Sequence, residues 1–86
     1  MRVTVQYFAR LRELAGCQTW TCELPDGSTV ADVWQACIAR HPHAAALGAS
    51  LSCAVNADFS RMGAIVHDGD EVAFLPPVSG GAWTES

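Results

Sequence analysis

Lysine is absent from this chain of 86 residues, and its five basic residues are all arginine. Without a side-chain amine the chain cannot accept an isopeptide bond, which excludes linking its copies to one another through lysine. Charged residues make up only 16% of the sequence, and the net charge at pH 7 is −4. Proteins that bind nucleic acids cluster basic side chains to neutralise phosphates, so we expect no nucleic-acid partner.

Long apolar runs are also absent. None approaches the roughly 20 residues that a membrane-spanning helix needs, so we expect no membrane partner. From Arg2 onward the first residues alternate between polar and apolar side chains and lack the pattern of an export signal. These features predict a cytoplasmic protein.

Motifs for catalysis, cofactors and metals are missing as well. The sequence has no phosphate-binding glycine loop, no Ser-His-Asp order and only three scattered histidines. Its four cysteines lack C-x-x-C spacing, which argues against a zinc site and favours reduced thiols. We therefore predict that the chain binds no metal or cofactor and carries no catalytic constellation of its own.

The residues that are present predict one small domain with helices and strands, since half of them are apolar. Thr29 and Asp32 form a capping box at the start of the main helix, and His41-Pro42 ends it. Its apolar stripe comprises Val30, Val33, Trp34, Cys37 and Ile38. The other patterns predict a short helix over 9–15, strands over 3–8, 17–24, 51–56 and 71–75, and a brief edge strand over 64–66.

This order predicts an α+β fold in which one main helix packs on one face of a mixed four- to five-stranded sheet. The first and last strands are the most apolar, so we expect them to pair in parallel at the centre. Directly after the last strand, Pro76 and Pro77 favour a stiff, extended segment. Gly80 and Gly81 end that segment, and residues without Cβ can enter a channel too narrow for any side chain.

The element order and the residues that surround this segment resemble a known family. His67-Asp68-Gly69-Asp70-Glu71-Val72-Ala73-Phe74-Leu75-Pro76-Pro77-Val78-Ser79-Gly80-Gly81 is similar to the end of the molybdopterin synthase small subunits, the MoaD branch of the ubiquitin-like β-grasp sulfur carriers. The stretches 7–16 and 54–56 resemble the same family. The resemblance implies a β-grasp domain over 1–75, an extended tail over 76–81 and a C-terminal extension over 82–86.

A function follows from the resemblance. In such a family, an E1-like enzyme uses ATP to adenylate the terminal glycine, here Gly81 beside Gly80, and a thiocarboxylate replaces the carboxylate. The carrier then docks on the large synthase subunit and delivers sulfur to a pyranopterin precursor of the molybdenum cofactor. The partner-binding positions implied for this chain are Phe8, Arg12, Leu75, Pro76, Pro77 and Val78.

The sequence departs from the family because Ala82-Trp83-Thr84-Glu85-Ser86 follows Gly81. A carboxyl group within a peptide bond cannot be adenylated. The chain is therefore a precursor that a protease trims, or a β-grasp binding module with a blocked tail, or a carrier with an artificial extension. Sulfur carriers for thiamine, cysteine or tRNA thiolation share the fold and tail, and they remain alternatives to the molybdopterin pathway.

Overall fold

A computed structural model describes residues 1–76, with the backbone alone for 47–50. The predicted tail from Pro77 and the extension over 82–86 lie outside the described residues. The elements are β1 (Arg2–Tyr7), α1 (Arg10–Ala15), β2 (Thr19–Glu23), α2 (Val30–Arg40), a 3₁₀ helix (Pro42–Ser50), β3 (Ser52–Val55), β4 (Asp58–Ser60) and β5 (Glu71–Leu75).

The five strands form one mixed sheet in the order β2-β1-β5-β3-β4. β1 and β5 run parallel, with Val5 opposite Val72 and Tyr7 opposite Phe74. The other neighbouring strands are antiparallel. The predicted parallel pairing of the first and last strands in the middle of a mixed sheet is therefore confirmed.

The core lies between the sheet and α2. Every second residue of β1 and β5 is buried, so these residues lie on one face of the sheet. The buried side of α2 packs against that face. The rings of Trp34 and Phe74 lie 5.0 Å apart across this contact. Each large apolar side chain buried here stabilises the fold by about 1.5–3 kcal/mol relative to exposure. The core comprises Val3, Val5, Tyr7, Leu11, Cys22, Val30, Val33, Trp34, Cys37, Ala44, Cys53, Val66, Val72 and Phe74.

The ends of α2 follow the predicted signals. The Thr29 hydroxyl accepts a hydrogen bond from the Asp32 backbone N–H, and the Asp32 carboxylate accepts one from the Thr29 N–H. The helix ends at Arg40, and Pro42 begins the 3₁₀ helix. The capping box and the proline stop are both confirmed.

The edge strand predicted over 64–66 is wrong. Ile65 forms only an isolated bridge with Thr29, and the edge of the sheet is β4 instead. Asn56 and Ala57 both have positive φ angles, of 51° and 73°. Two such residues make a tight hairpin, so the chain turns back at once and Asp58 pairs with Val55.

Candidate functional site

The face of the sheet opposite α2 is the first part of the candidate site. Because side chains alternate along a strand, burying Val72 and Phe74 under α2 turns Ala73 and Leu75 of β5 to the other side. Strand register then lines up one row across this open face, formed by Thr19, Gln6, Ala73, Ala54 and Phe59. The row brings together residues from all five strands.

Part of this open face is apolar. Phe59 on the edge strand is 82% exposed, and it lies opposite Ala54, which in turn pairs with Ala73. Leu75 is half-buried at the end of β5. Phe8, one residue beyond β1, is 40% exposed, and strand alternation directs it to the same side as Gln6. Ala54 itself is only 8% exposed and lies at the bottom of this area. We define these five residues (Phe8, Ala54, Phe59, Ala73 and Leu75) as the open apolar patch.

The short helix α1 follows Phe8 closely in the chain and carries an exposed cation. Leu11 is fully buried and anchors the helix, so its neighbour Arg12 points to solvent. Within residues 1–76 Arg12 forms no ion pair, whereas Arg10 lies 4.0 Å from Glu13. Both side chains of that pair are largely exposed, and such pairs contribute little to stability. Arg12 is thus available to an anionic group on a partner.

The turn between β1 and α1 holds an unusual backbone conformation. Ala9 has φ 52° and ψ −125°, a region that residues with a Cβ rarely occupy. Strain of this kind typically costs about 1–3 kcal/mol and is concentrated at functional sites. Ala9 lies between Phe8 and α1 in the chain. Its backbone conformation therefore sets the direction in which α1, with Arg12, leaves the end of β1.

The root of the tail lies at the centre of the sheet. β5 is hydrogen-bonded on both sides, to β1 and β3, and it ends at Leu75 before Pro76. The tail therefore leaves a rigid central strand at the end where Phe8 also leaves β1. Pro77, Val78, Gly80 and Gly81 lie outside the described residues, and their roles remain predictions.

The turn before β5 is held by a carboxylate. Asp70 accepts hydrogen bonds from the Asn56 side-chain amide at 3.0 Å and from the His67 backbone N–H at 2.8 Å. These two bonds, that of Asn56 first, lower the pKa of Asp70. The side-chain oxygen of Asn56 also accepts a hydrogen bond from the backbone N–H of Glu71. The Asp68-Gly69-Asp70 turn is therefore structural, since it fixes where the central strand begins.

Three members of the patch, Ala54, Ala73 and Phe59, are not evident as partner-binding residues from the sequence. Ala54 and Ala73 are neighbours only through the pairing of β3 with β5, a contact between residues far apart in the chain. The available signal for Phe59 was a lone aromatic residue between polar neighbours, Asp58 and Ser60. The sequence does not show on which side of the sheet Phe59 lies until β4 is known to be a strand.

Within residues 1–76, no helix is both long and apolar enough to cross a membrane. The same part of the chain contains no group of three or more residues arranged to hold a metal ion. The four cysteines are free thiols.

Comparison with known proteins identifies the family. The ThiS family profile matches residues 5–81. The chain belongs to the ThiS family. It is 40% identical to the molybdopterin synthase sulfur carrier subunit of Chlamydomonas reinhardtii, over 94% of this chain and 100% of that protein. It is 31% identical to the human protein of the same name, over 93% of this chain and 94% of the relative.

A solved structure supports the fold. The crystal structure of small archaeal modifier protein 1 from Haloferax volcanii has a TM-score of 0.85 and 28% sequence identity to this chain. The match covers 94% of this chain and all of that chain. The predicted ubiquitin-like β-grasp fold and the resemblance to the molybdopterin synthase sulfur carriers are both confirmed.

Proposed function

We propose that this ThiS-family chain is the sulfur-carrier subunit of a molybdopterin synthase. It delivers sulfur as a thiocarboxylate on Gly81 to a pyranopterin precursor during molybdenum cofactor biosynthesis, once residues 82–86 have been removed. The observation that carries the proposal is the open apolar patch at the root of a Gly-Gly tail. The similarity to two molybdopterin synthase sulfur carrier subunits selects the pathway.

The body of the domain serves as a docking handle. Monomeric proteins rarely expose a contiguous apolar area beside a functional segment unless a partner covers it. Phe59 and Phe8 supply large exposed rings around the small Ala54 and Ala73. The partner is the large synthase subunit, with Arg12 meeting an anionic group at the edge of the interface.

The tail carries the chemistry into the partner. An extended segment from Leu75 to Gly81 reaches about 20 Å, enough to pass into a closed pocket while the body stays outside. Ordering it costs roughly 1–2 kcal/mol per residue, and contacts of the body with the large subunit offset that cost. Pro76 and Pro77 reduce the cost because prolines already restrict the free chain, and Val78 supplies a small apolar anchor.

Loading requires a free carboxylate on Gly81. A protease must hydrolyse the Gly81–Ala82 bond, after which an E1-like enzyme joins the carboxylate to AMP from ATP and releases pyrophosphate. A sulfur donor then displaces AMP and leaves the thiocarboxylate. The catalytic groups for all of these reactions belong to the partner proteins. ATP is bound by the E1-like enzyme and not by this chain.

Sulfur transfer in thiamine, cysteine or tRNA thiolation pathways is the second candidate function. The similarity to small archaeal modifier protein 1 supports this second candidate. That protein has the same β-grasp body, and it is not named as a synthase subunit. A non-carrier binding module would use the same patch with a permanently blocked tail.

To test the proposal, three versions of this chain are expressed in a host strain that lacks its own sulfur-carrier subunit. They are the full chain, a chain that ends at Gly81, and a matched control that ends at Gly80. We expect cofactor synthesis with the first two and none with the control. The intact mass of the recovered protein should match a chain ending at Gly81, heavier by the difference between a sulfur and an oxygen atom.

Two outcomes would contradict the proposal. If the full chain restores cofactor synthesis while its recovered mass always includes residues 82–86, no freed carboxyl group is needed. If the chain ending at Gly81 gains sulfur but restores a different thiolation pathway in the matching deletion strain, the second candidate is correct.

A further inference from the structure

A polar cluster lies on the α2 side of the sheet, away from the open apolar patch. Its members come from the end of β1, the segment between α1 and β2, β2 itself and the residue after α2. Tyr7 Oη lies 3.0 Å from His41 Nδ1, and Cys17 Sγ lies 3.6 Å from His41 Nε2. Trp20 Nε1–H donates to Tyr7 Oη at 2.9 Å. We name these four residues the Tyr7–His41 cluster.

The rings hold the imidazole in one orientation. Tyr7 and Trp20 both meet the His41 ring edge-on, with centroid distances of 5.5 and 5.4 Å. The backbone N–H of His41 also bonds the Cys37 carbonyl at the end of α2. Since ring and backbone are both fixed, His41 Nε2 is directed at Cys17.

The His41 tautomer that carries its proton on Nδ1 fits the cluster. In that tautomer Trp20 Nε1–H and His41 Nδ1–H both donate to Oη of Tyr7. Burial raises the pKa of Tyr7, which keeps it a phenol. His41 Nε2 is then an unprotonated acceptor facing Cys17. Burial, and after it the charge of Arg40, lowers the pKa of His41, so the ring is neutral at neutral pH.

We propose that Cys17 and His41 form a thiol-exchange site for low-molecular-weight disulfides. His41 Nε2 takes the proton of the Cys17 thiol, and Cys17 Sγ attacks one sulfur of the disulfide. The S–S bond of the small molecule breaks as the new S–S bond forms, and the departing thiolate takes the proton from His41. The products are a mixed disulfide on Cys17 and one free small thiol.

The geometry distinguishes Cys17 from the other three thiols. Cys22, Cys37 and Cys53 are at most 3% exposed, whereas Cys17 is half-buried and reaches the surface. Burial raises the pKa of each of those three, that of Cys37 to about 12. Within residues 1–76, no other cysteine has an imidazole within hydrogen-bond distance. A nucleophile beside a base that a third group orients is the arrangement of activated thiols.

The test uses the full chain with oxidised glutathione as the disulfide, followed by peptide mass analysis of the adducts. We expect a single adduct, on Cys17, and none on the Cys17→Ser variant. His41→Gln should slow its formation by at least about tenfold. His67→Gln is the matched control, because the His67 side chain is exposed and lies 3.8 Å from Asp70, outside the Tyr7–His41 cluster. It should leave the rate unchanged.

The pH dependence keeps the proposal testable even if His41→Gln perturbs folding. In the natural sequence the rate should already be high at pH 7 and fall only under more acidic conditions, as His41 becomes protonated, whereas an unassisted thiol gains reactivity through about pH 8.5. Adducts spread evenly over the four cysteines would overturn the proposal. So would a rate that follows the unassisted profile in the natural sequence.

Discussion

The two faces of the sheet are built by the same strands, yet they carry different kinds of residue. On the covered face, large side chains such as Val72 and Phe74 are fully buried against α2. On the open face, their neighbours Ala73 and Leu75 stay partly exposed. A shift of one residue along β5 therefore separates a position that stabilises the fold from one that is available to a partner.

The difference shows in the size of the side chains as well as in their burial. Ala54 and Ala73 form a low floor in the middle of the open face, and the exposed ring of Phe59 stands beside it. Small central residues leave space for the side chains of another protein. The covered face has no such space, because the Trp34 and Phe74 rings fill the region between α2 and the sheet.

The largest effect should come from Phe74→Ala on the covered face. Removal of a fully buried ring costs the lost burial plus the cavity that remains, about 3–5 kcal/mol. The free energy of unfolding of so small a domain is itself on the order of 5 kcal/mol. We therefore expect the variant to be partly or wholly unfolded at 25 °C, as measured by urea denaturation followed by circular dichroism.

The neighbouring residue on the other face provides the control. Leu75→Ala truncates a half-buried side chain on the same strand, and we expect it to cost on the order of 1 kcal/mol. If Leu75→Ala destabilises the domain as much as Phe74→Ala, the two faces do not differ in the way that their burial indicates.

The next largest effect should be on binding. Phe59→Ala removes the most exposed ring of the open apolar patch, and we expect at least tenfold weaker binding to the large synthase subunit, about 1.4 kcal/mol. Because the ring is 82% exposed, the free energy of unfolding should change by less than about 0.5 kcal/mol. Isothermal titration calorimetry and urea denaturation measure the two quantities.

Ile65→Ala is the matched control for that experiment. Ile65 is a large apolar residue with 57% exposure, but it bridges Thr29 at the start of α2 and is not part of the open apolar patch. We expect no change in affinity. Equal losses for both variants would mean that exposed apolar area, and not the open face, governs binding.

Local patterns in the sequence predicted the covered face better than the open one. The apolar stripe of α2 and the alternation of β5 are local patterns, and both are present in the structure. The neighbourhood of Ala54, Ala73 and Phe59 depends on which strands pair, and pairing is decided by contacts between distant residues. Residues 56–58 indicate a turn, but Ala57 is not a residue that usually adopts a positive φ, so the tight hairpin that pairs β4 with β3 is not evident from the sequence.

That hairpin gives the smallest effect, and the only one expected to stabilise. Ala57 has φ 73°, a conformation that costs a residue with a Cβ roughly 1–2 kcal/mol. Ala57→Gly relieves this strain, while the greater freedom of glycine in the unfolded chain takes back about 0.4–1 kcal/mol. We expect a net increase of roughly 0.5–1 kcal/mol in the free energy of unfolding, measured by urea denaturation.

The same substitution in α2 should have the opposite sign. Ala39 is exposed within the helix, where glycine costs about 1 kcal/mol relative to alanine. Ala57→Gly should also leave the affinity for the large subunit close to that of the natural sequence, since β4 keeps its register with β3. A loss of affinity without a loss of stability would show that the strained turn itself holds Phe59 in its binding position, and that the open face depends on backbone strain as well as on its side chains.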